Sequence, residues 1–279
     1  IVDTKKENGQ TVHITKNLPK EINGSHKAVV DNKQRHRSAS NHTATHLLHQ
    51  ALRKILGTHV EQKGSSVRSA SLRFDFSHFQ KVEKAEILQI ENIVNAKIRE
   101  AIALDEARNV PFEEATKGGA MALFGEKYGD TVRVITFGKD YSVELCGGCH
   151  VSNTAQIGSF KIVHEGAVAA GVRRIEAITG AKADAYIKEK LSLIDQISAE
   201  MGNQQDLLKA VQTLQKENAE LRLKLASFEN AQLGNIKEEL LKSMKSSNGV
   251  NSIVQIIQVG NTGQAKDLAF QLKEEVENL

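Results

Sequence analysis

Apolar residues recur every three to four positions in two long stretches of the first hundred residues, and this spacing is typical of helices that bury one face. The first stretch predicts a helix over residues 38–57, capped by Ser38 or Ser40 and ended by Gly57. The second predicts a long helix over about residues 80–106. Both helices require a core on one side.

Shorter stretches alternate between apolar and polar residues, or are rich in β-branched side chains, as strands are. These predicted strands cover residues 11–15, 29–30, 67–76, 131–137, 141–145, 157–163 and 172–179. Glycine-rich loops are predicted at residues 146–150 and 166–171. Because helices and strands are not arranged as repeated βαβ units, the pattern predicts an α+β fold with a mostly antiparallel sheet.

The pattern changes from about residue 181, and a heptad repeat begins at Leu207. Apolar residues step by four and three along Leu207, Val211, Leu214, Asn218, Leu221, Leu225 and Phe228, with Asn218 as the polar exception. We predict helices over residues 186–201 and 204–245, forming either an intramolecular hairpin or a homo-oligomer through residues 186–248. A strand over residues 250–259 and an amphipathic helix over residues 263–277 are expected to follow.

Composition narrows the class of protein. The 279 residues are 40% apolar and 25% charged, which argues against disorder. Two cysteines within one pentapeptide do not make a secreted disulfide framework, and no apolar run reaches the length of a membrane span. The net charge of +3 neither demands nor excludes a nucleic acid. Since the chain begins at Ile1 without a signal peptide, we expect a cytoplasmic piece of a longer protein.

Histidine and cysteine provide the clearest candidate chemistry. His42 and His46 are four residues apart, so both imidazoles lie on one face of the first helix. Cys146, Cys149 and His150 share a glycine-containing loop after a strand. Two histidines from the helix plus a cysteine and a histidine from the loop make four potential ligands, the number that zinc requires, and either thiol can be the ligand. The alternative is a surface pair of histidines with two incidental thiols. The other seven histidines lack such spacing and are expected to be solvated or paired locally.

Two further groups of polar residues are candidates for a binding site. Gln62 follows the first helix and Thr45 lies next to His46. Arg173 and Arg174 follow the loop of small residues at 166–171, where a backbone can approach a ligand closely and paired guanidinium groups can hold phosphate. The alternative for the arginines is an ordinary strand with an exposed basic edge.

Together these motifs resemble the zinc-binding editing domain of the alanyl-tRNA synthetase family. The resemblance is carried by His42-Thr43-Ala44-Thr45-His46-Leu47-Leu48-His49, the loop 146–150, Gln62-Lys63-Gly64-Ser65, Leu72-Arg73-Phe74-Asp75-Phe76, residues 122–130 and residues 171–177. It extends over the whole chain, whereas the aminoacylation domain of the family, with its ATP and alanine sites, has no counterpart in it.

The resemblance implies four parts and an activity. The parts are a remnant of a β-barrel subdomain at 1–35, an editing domain at 36–185, a coiled-coil arm at 186–248 and the start of a partial α/β C-terminal tRNA-binding domain at 249–279. The implied activity is hydrolysis of serine or glycine from the tRNA for alanine.

The resemblance also implies residue roles. The zinc ligands would be His42, His46, Cys146 and His150, and the pocket for the aminoacyl group would contain Thr45 and Gln62. With Cys146, these last two form the predicted catalytic set. Arg173 and Arg174 would lie near the tRNA end. The chain departs from the family at Cys149, where threonine is usual, so this thiol can compete for the metal.

Other functions fit parts of the same pattern. A free-standing editing deacylase would share the zinc motif but lack both the barrel remnant and the coiled coil. A zinc-stabilised module without catalytic activity would bind tRNA but not hydrolyse its ester. A coiled-coil assembly module would keep its oligomeric state without any deacylation.

Overall fold

The computed structural model describes residues 1–122 and 128–279. In this part of the chain the helices are α1 (Asn32–Leu56), α2 (Lys84–Arg99), α3 (Phe112–Lys117), α4 (Gly180–Glu200), α5 (Leu207–Lys242) and α6 (Thr262–Glu275). The strands are β1 (Asp3–Glu7), β2 (Gln10–Ile14), β3 (Gln62–Val67), β4 (Leu72–Ser77), β5 (Asp105–Pro111), β6 (Thr131–Phe137), β7 (Ser142–Leu145), β8 (Phe160–Ala169), β9 (Val172–Thr179), β10 (Lys245–Ser247) and β11 (Val250–Ser252).

Every pair of neighbouring strands among these is antiparallel. The order is β3-β4-β9-β8 in a four-stranded sheet and β5-β6-β7 in a three-stranded sheet, while β1-β2 and β10-β11 are separate hairpins. This confirms the predicted mixture of helices and antiparallel sheets. The chain divides into two compact units, residues 1–190 and 191–279.

In the first unit, α1 and α2 bury their apolar faces with the four-stranded sheet. The central members of this core are fully buried aliphatic and aromatic side chains, among them Leu47, Leu48, Leu52, Leu72, Phe74, Phe76, Ile90 and Ile175. Buried Asn41 attaches α1 to the sheet, because its amide donates to the Arg68 carbonyl at 2.6 Å and accepts from the Thr179 hydroxyl at 2.7 Å. This contact fixes the helix face that carries His42 and His46.

The three-stranded sheet has a smaller core formed by Ala115, Ala120, Val132 and Leu145. Its last strand, β7, leads directly into the loop 146–150, which therefore begins on a rigid base. The second unit has a small cluster of its own, in which Leu240 of α5 packs with Leu268 and Leu272 of α6.

The predicted start of the first helix is wrong by two turns. The helix α1 begins at Asn32, where the Asp31 carboxylate accepts a hydrogen bond from the Gln34 N–H at 3.0 Å and caps the helix. The first six residues of α1 are polar and exposed, so they carry no apolar period that could reveal them.

Two other predicted boundaries are corrected nearby. The predicted strand 67–76 begins too early and corresponds to β4, because Val67 ends β3 and residues 68–71 turn the chain between the two strands. The predicted helix 80–106 covers only α2 and then gives way to β5, whose polar exposed residues hide its pairing with β6. Ala101, with φ of +52°, lies between the two elements and cannot continue the helix.

The predicted glycine-rich loop 166–171 is mostly a strand. β8 extends to Ala169 and pairs with β9, leaving Ala170 and Gly171 as a tight turn with Gly171 at φ +69°. In contrast, residues 29–30 form no strand, and most of the predicted strand 250–259 lies outside β11. In the family-like run 122–130, residues 123–127 lie outside the described residues.

None of the helices in residues 1–122 and 128–279 has the combination of length and apolar content needed to cross a membrane.

Candidate metal centre

Four side chains that are far apart in the sequence meet beside the core of the first unit. His42 and His46 come from adjacent turns of α1, and Cys146 and His150 come from the loop after β7. One ligand atom from each side chain lies within 4.8 Å of the other three. This is the one such group of three or more histidine, cysteine or acidic side chains in the described part of the chain.

The geometry and the donor set both fit zinc. The Cys146 Sγ atom lies 3.5 Å from His42 Nε2 and 3.4 Å from His150 Nε2. Ligands of a tetrahedral zinc ion, bound at about 2.0–2.3 Å, are separated by roughly 3.3–3.6 Å. Imidazole nitrogen and thiolate sulfur are also ligand types that suit zinc.

The two cysteines occupy different environments. The Cys146 sulfur faces the three imidazoles and accepts from the Gly148 N–H at 3.4 Å, a contact that favours a thiolate. Cys149 is exposed and outside the cluster. The sequence left open which of the two cysteines could bind the metal. In the structure Cys146 lies among the candidate ligands and Cys149 does not.

Gly148 allows the loop to approach the helix. A Cβ atom added to Gly148 would lie 2.0 Å from Cε1 and 2.3 Å from Nδ1 of His42, whereas one added to Gly147 would have no atom within 4 Å. The backbone thus packs directly against a candidate ligand, and only glycine fits at this position.

Two buried side chains, Glu144 and Thr43, contact the Nδ1 atoms of two candidate ligands, His46 and His150. The Glu144 carboxylate lies 3.4 Å from His46 Nδ1, and the Thr43 hydroxyl lies 3.1 Å from His150 Nδ1 while also accepting from the Val151 N–H. A proton on Nδ1 of either ring would face one of these oxygens, and Nε2 would then be available for a metal.

The histidines are neutral at physiological pH, as metal ligands must be. Burial, followed by the neighbouring His46, lowers the pKa of His42 from 6.5 to about 4. Burial, followed by His46 and His42, lowers the pKa of His150 to about 2. Burial also lowers the pKa of His46, against the opposing effect of Glu144.

Glu144 remains charged although it is buried. Burial by itself raises the pKa of its carboxyl group, but nearby His46, a hydrogen bond from His49 and the amide of Gln50 together lower it to about 2. The Gln50 Nε2 donates to Glu144 Oε1 at 3.2 Å. A negative charge held here offsets part of the positive charge of a bound divalent cation.

Arg133 of β6 holds the loop in place. Its guanidinium donates to the carbonyls of Cys146 at 3.2 Å and Gly148 at 2.5 Å, and its Nε donates to the Glu106 carboxylate at 2.8 Å. Hydrogen bonds from Arg133 and Arg108 lower the pKa of Glu106 to about 2. The guanidinium thereby holds the loop at two of its carbonyls.

An open cleft of about 770 Å³ begins at this loop. It lies between the first turns of α1, the β5–β6 region and residues 147–152, and it is lined mainly by polar groups. Its basic side chains are Arg35, His36, Arg108 and Arg133, against the single carboxylate of Glu106. The cleft therefore suits an anionic ligand that reaches the candidate metal centre.

The other predicted site residues lie elsewhere. Buried Thr45 donates its hydroxyl to the Asn41 carbonyl within α1, at 2.9 Å, and Gln62 is half-buried at the start of the edge strand β3. Neither is among the residues that line the described cleft.

The two arginines lie on β9 and are paired with acidic side chains. Arg174 makes two hydrogen bonds to the Asp75 carboxylate, at 2.7 and 2.9 Å, and Arg173 pairs with Glu165.

Sequence reasoning overlooked Thr43, Glu144, His49 and Arg133. A signal existed for Glu144, because it occupies a core-facing position of a short strand where an apolar residue is expected. His49, which we expected to be solvated or locally paired, is instead buried, with its Nδ1 atom 3.5 Å from Glu144. No sequence spacing links these residues, since Glu144 and His46 are 98 positions apart.

The chain is similar to known proteins over the segments that form this site. Residues 132–176, from β6 through most of β9, match the family described as threonyl and alanyl tRNA synthetase second additional domain. The chain is 54% identical over 279 residues to the alanine–tRNA ligase of Christiangramia forsetii, 48% identical over 280 residues to that of Bacteroides fragilis and 44% identical over 278 residues to that of Porphyromonas gingivalis.

These alignments cover 99–100% of the chain but only 31–32% of each relative. The chain thus spans about a third of the length of the curated relatives it matches. The resemblance to alanyl-tRNA synthetases is confirmed along the whole chain.

Proposed function

We propose that this chain, similar throughout to a third of alanine–tRNA ligases, removes wrongly attached serine or glycine from the tRNA for alanine. The substrate bond is the ester between the amino acid and the terminal ribose, and the products are a free amino acid and an uncharged tRNA. The main observation in support is the convergence of three imidazoles and one thiolate at the end of an open cationic cleft.

The reaction is needed because a binding pocket can discriminate between similar amino acids only to a limited extent. A pocket built for alanine cannot strongly exclude glycine, which is smaller, or serine, which adds only a hydroxyl group. A second, hydrolytic site corrects these errors after attachment. In the full-length ligases the first selection would take place in a part that this chain does not cover.

We assign the metal to zinc, held by His42, His46, Cys146 and His150. When bound, zinc supplies Lewis-acid polarisation and a fixed point for the substrate. Glu144 and Thr43 hold the imidazoles of His46 and His150 in the tautomer that binds metal, and Arg133 fixes the loop. From the resemblance, we assign Thr45 and Gln62 to the aminoacyl pocket and include them with Cys146 in the catalytic set.

The cleft offers a route for the single-stranded 3′ end of the tRNA. Arg35 and Arg108 are exposed on its walls and can contact phosphates, which would make binding dependent on salt. Arg173 and Arg174 are the second candidate surface. We expect Arg35→Gln to weaken tRNA binding and reduce its salt dependence; the same effect from Arg174→Gln, but not from Arg35→Gln, would assign the tRNA end to β9 instead.

The deciding experiment measures deacylation of serine-charged and alanine-charged tRNA by the intact chain. We expect the serine ester to be hydrolysed and the alanine ester to be spared, with activity lost after chelation and restored by zinc. His46→Ala should abolish hydrolysis, whereas His26→Ala, which changes an exposed histidine outside the cluster, should not.

Other outcomes identify the alternative functions. Binding of tRNA without hydrolysis would indicate a zinc-stabilised binding module. Full hydrolysis by the metal-free chain would contradict the role given to the metal. We further propose that the four parts 1–35, 36–185, 186–248 and 249–279 correspond to successive parts of the ligases, and that the chain acts in the cytoplasm.

A further inference from the structure

The second cysteine of the loop 146–150 has no part in the candidate metal centre. Cys149 follows Cys146 by three residues, with Gly147 and Gly148 between them, and these are the two cysteines of the chain. Cys146 lies among the candidate ligands, whereas the Cys149 side chain is exposed and lines the open cleft. A solvent-accessible thiol next to a second thiol is the arrangement in which oxidation proceeds to a disulfide.

The backbone of the loop holds both cysteines against one histidine. The chain bends at Gly148, whose N–H donates back to Cys146 Sγ at 3.4 Å. His42 contacts both ends of the bend, because its Nε2 atom lies 3.5 Å from Cys146 Sγ and its ring also makes a hydrogen bond to the backbone of Cys149. The two cysteines are therefore neighbours in space as well as in sequence.

The loop has room to join the two sulfur atoms. A disulfide requires Cα atoms within about 7 Å of each other, a separation that a four-residue turn provides. A Cβ atom added to Gly147 would lie more than 4 Å from every described atom outside its chain neighbours, so the backbone can move there. Glycine also permits backbone conformations that other residues rarely adopt. Rotation at Gly147 and of the exposed Cys149 side chain can thus bring the sulfur atoms together.

We propose that Cys146 and Cys149 are a modification site, at which a peroxide forms a reversible disulfide and thereby removes the sulfur ligand from the candidate metal centre. A metal ligand must be a thiolate, and a disulfide sulfur carries no negative charge. Only the three imidazoles would then remain to hold the ion. The inference rests on the metal assignment proposed above and is independent of the hydrolytic reaction.

The exposed thiol reacts first. The Cys149 sulfur attacks one oxygen of hydrogen peroxide and the O–O bond breaks, so that the sulfur becomes a sulfenic acid and the other oxygen leaves as water with the thiol proton. The Cys146 sulfur then attacks the Cys149 sulfur. The S–S bond forms, the S–O bond breaks, and the departing hydroxide becomes water with the Cys146 thiol proton or, from the thiolate, a proton of the solvent. The two sulfur atoms together lose two electrons, which the peroxide accepts.

The disulfide and the release of zinc are measured separately on the intact chain. Zinc-loaded and metal-free samples are treated with stoichiometric hydrogen peroxide, and a colorimetric chelator reports released zinc relative to the untreated chain. Trypsin leaves both cysteines in one peptide, residues 140–161, so mass spectrometry detects the disulfide as the loss of two hydrogen atoms. We expect this loss in both samples, the release of one zinc ion per disulfide, and rebinding of zinc after dithiothreitol reduces the disulfide.

Cys149→Ser is the matched variant, because it removes the exposed thiol and keeps all four candidate ligands. We expect it to bind zinc with unchanged affinity and to retain the ion at the same peroxide dose. Equal zinc loss from both chains, or a disulfide between two copies in place of the 146–149 link, would overturn the proposal. So would a metal-free chain in which Cys149 is oxidised only to sulfinic acid.

Failure of this inference is distinguishable from failure of the proposed function, because neither readout uses deacylation. A chain that forms the disulfide and releases zinc but does not hydrolyse serine-charged tRNA would support the modification site and refute the editing function. A chain that hydrolyses this tRNA but keeps its zinc after the disulfide has formed would refute the modification site alone.

Discussion

Among single residues, Gly148 makes the closest contact of the loop with a candidate ligand. We predict that Gly148→Ala weakens zinc binding severely, because the new methyl group would lie 2.0 Å from the His42 ring and must displace the ring or the loop. Chelator competition measures the change in affinity. Gly147→Ala is the matched control, since its Cβ meets no atom within 4 Å. Equal affinities for the two variants would contradict the packing described.

Glu144 illustrates how a residue outside the ligand set can affect the metal. Replacing it with glutamine keeps its size but removes the charge beside His46. We predict a loss of about 10–100-fold in zinc affinity, the usual effect of removing a carboxylate behind a histidine ligand. The absorption spectrum of the cobalt-substituted chain should also shift. The exposed Glu113 on α3 provides the control Glu113→Gln, and an unchanged affinity of Glu144→Gln would argue against the orienting role.

The lowered histidine pKa values make the stability of the metal-stripped chain dependent on pH. Between pH 6.5 and about 4 the unfolded chain binds a proton at His42 that the folded chain does not, so stability falls as pH falls through this window. Each such histidine contributes up to about 1.4 kcal/mol per pH unit. Glu144, whose pKa is lowered from 4.5 to about 2, adds its own loss as pH falls below about 4.5.

Urea unfolding of the metal-free chain at pH 7, 6 and 5 measures this dependence. We expect a decreasing free energy of unfolding and a shallower decrease for His42→Gln. A flat profile would mean that the imidazoles are not buried in the metal-free state.

At the scale of elements, the site depends on how α1 sits against the sheet. Asn41 bonds the Arg68 carbonyl and the Thr179 hydroxyl, so Asn41→Ala would leave both groups without this partner. We predict a loss of about 1–3 kcal/mol in the free energy of unfolding of the metal-free chain. Gln34→Ala, at an exposed position of the same helix, should change it little. A similar change in the free energy of unfolding for both variants would indicate that the Asn41 hydrogen bonds do not stabilise the fold.

Elements with a clear apolar period were predictable, and those without one were not. The strands at 131–137 and 172–179 match β6 and β9 because β-branched residues alternate across two environments there. The first two turns of α1 and the whole of β5 were missed because their side chains are mainly exposed and polar. Their structure is set by a cap at Asp31 and by pairing with β6, which depend on contacts and not on hydrophobic period.

At the scale of the whole molecule, we expect the first compact unit to fold and bind zinc without the second. The first has its own cores, and the second contains the whole of α5 and the cluster around Leu240. We predict that a chain of residues 1–200 retains zinc binding and the unfolding midpoint of the first unit. Calorimetry and a zinc-binding titration test this, with the full chain as reference. Loss of zinc from the shortened chain would show that the first unit depends on the second.

The sequence by itself determined the residue types at the candidate site, the antiparallel α+β character and the heptad repeat. Each of these can be recognised from the spacing of residues that are close together in the sequence. Two histidines four residues apart lie on one face of any helix, and apolar residues at steps of three and four form a stripe on any helix. Neither conclusion requires tertiary information. Only the tertiary structure decided that Cys146 lies among the histidines while Cys149 does not, that Glu144 and Thr43 lie behind the rings, and that a basic cleft opens at Gly148. These relations join residues about a hundred positions apart, and they are set by how α1 and β7 pack together, which no local pattern encodes.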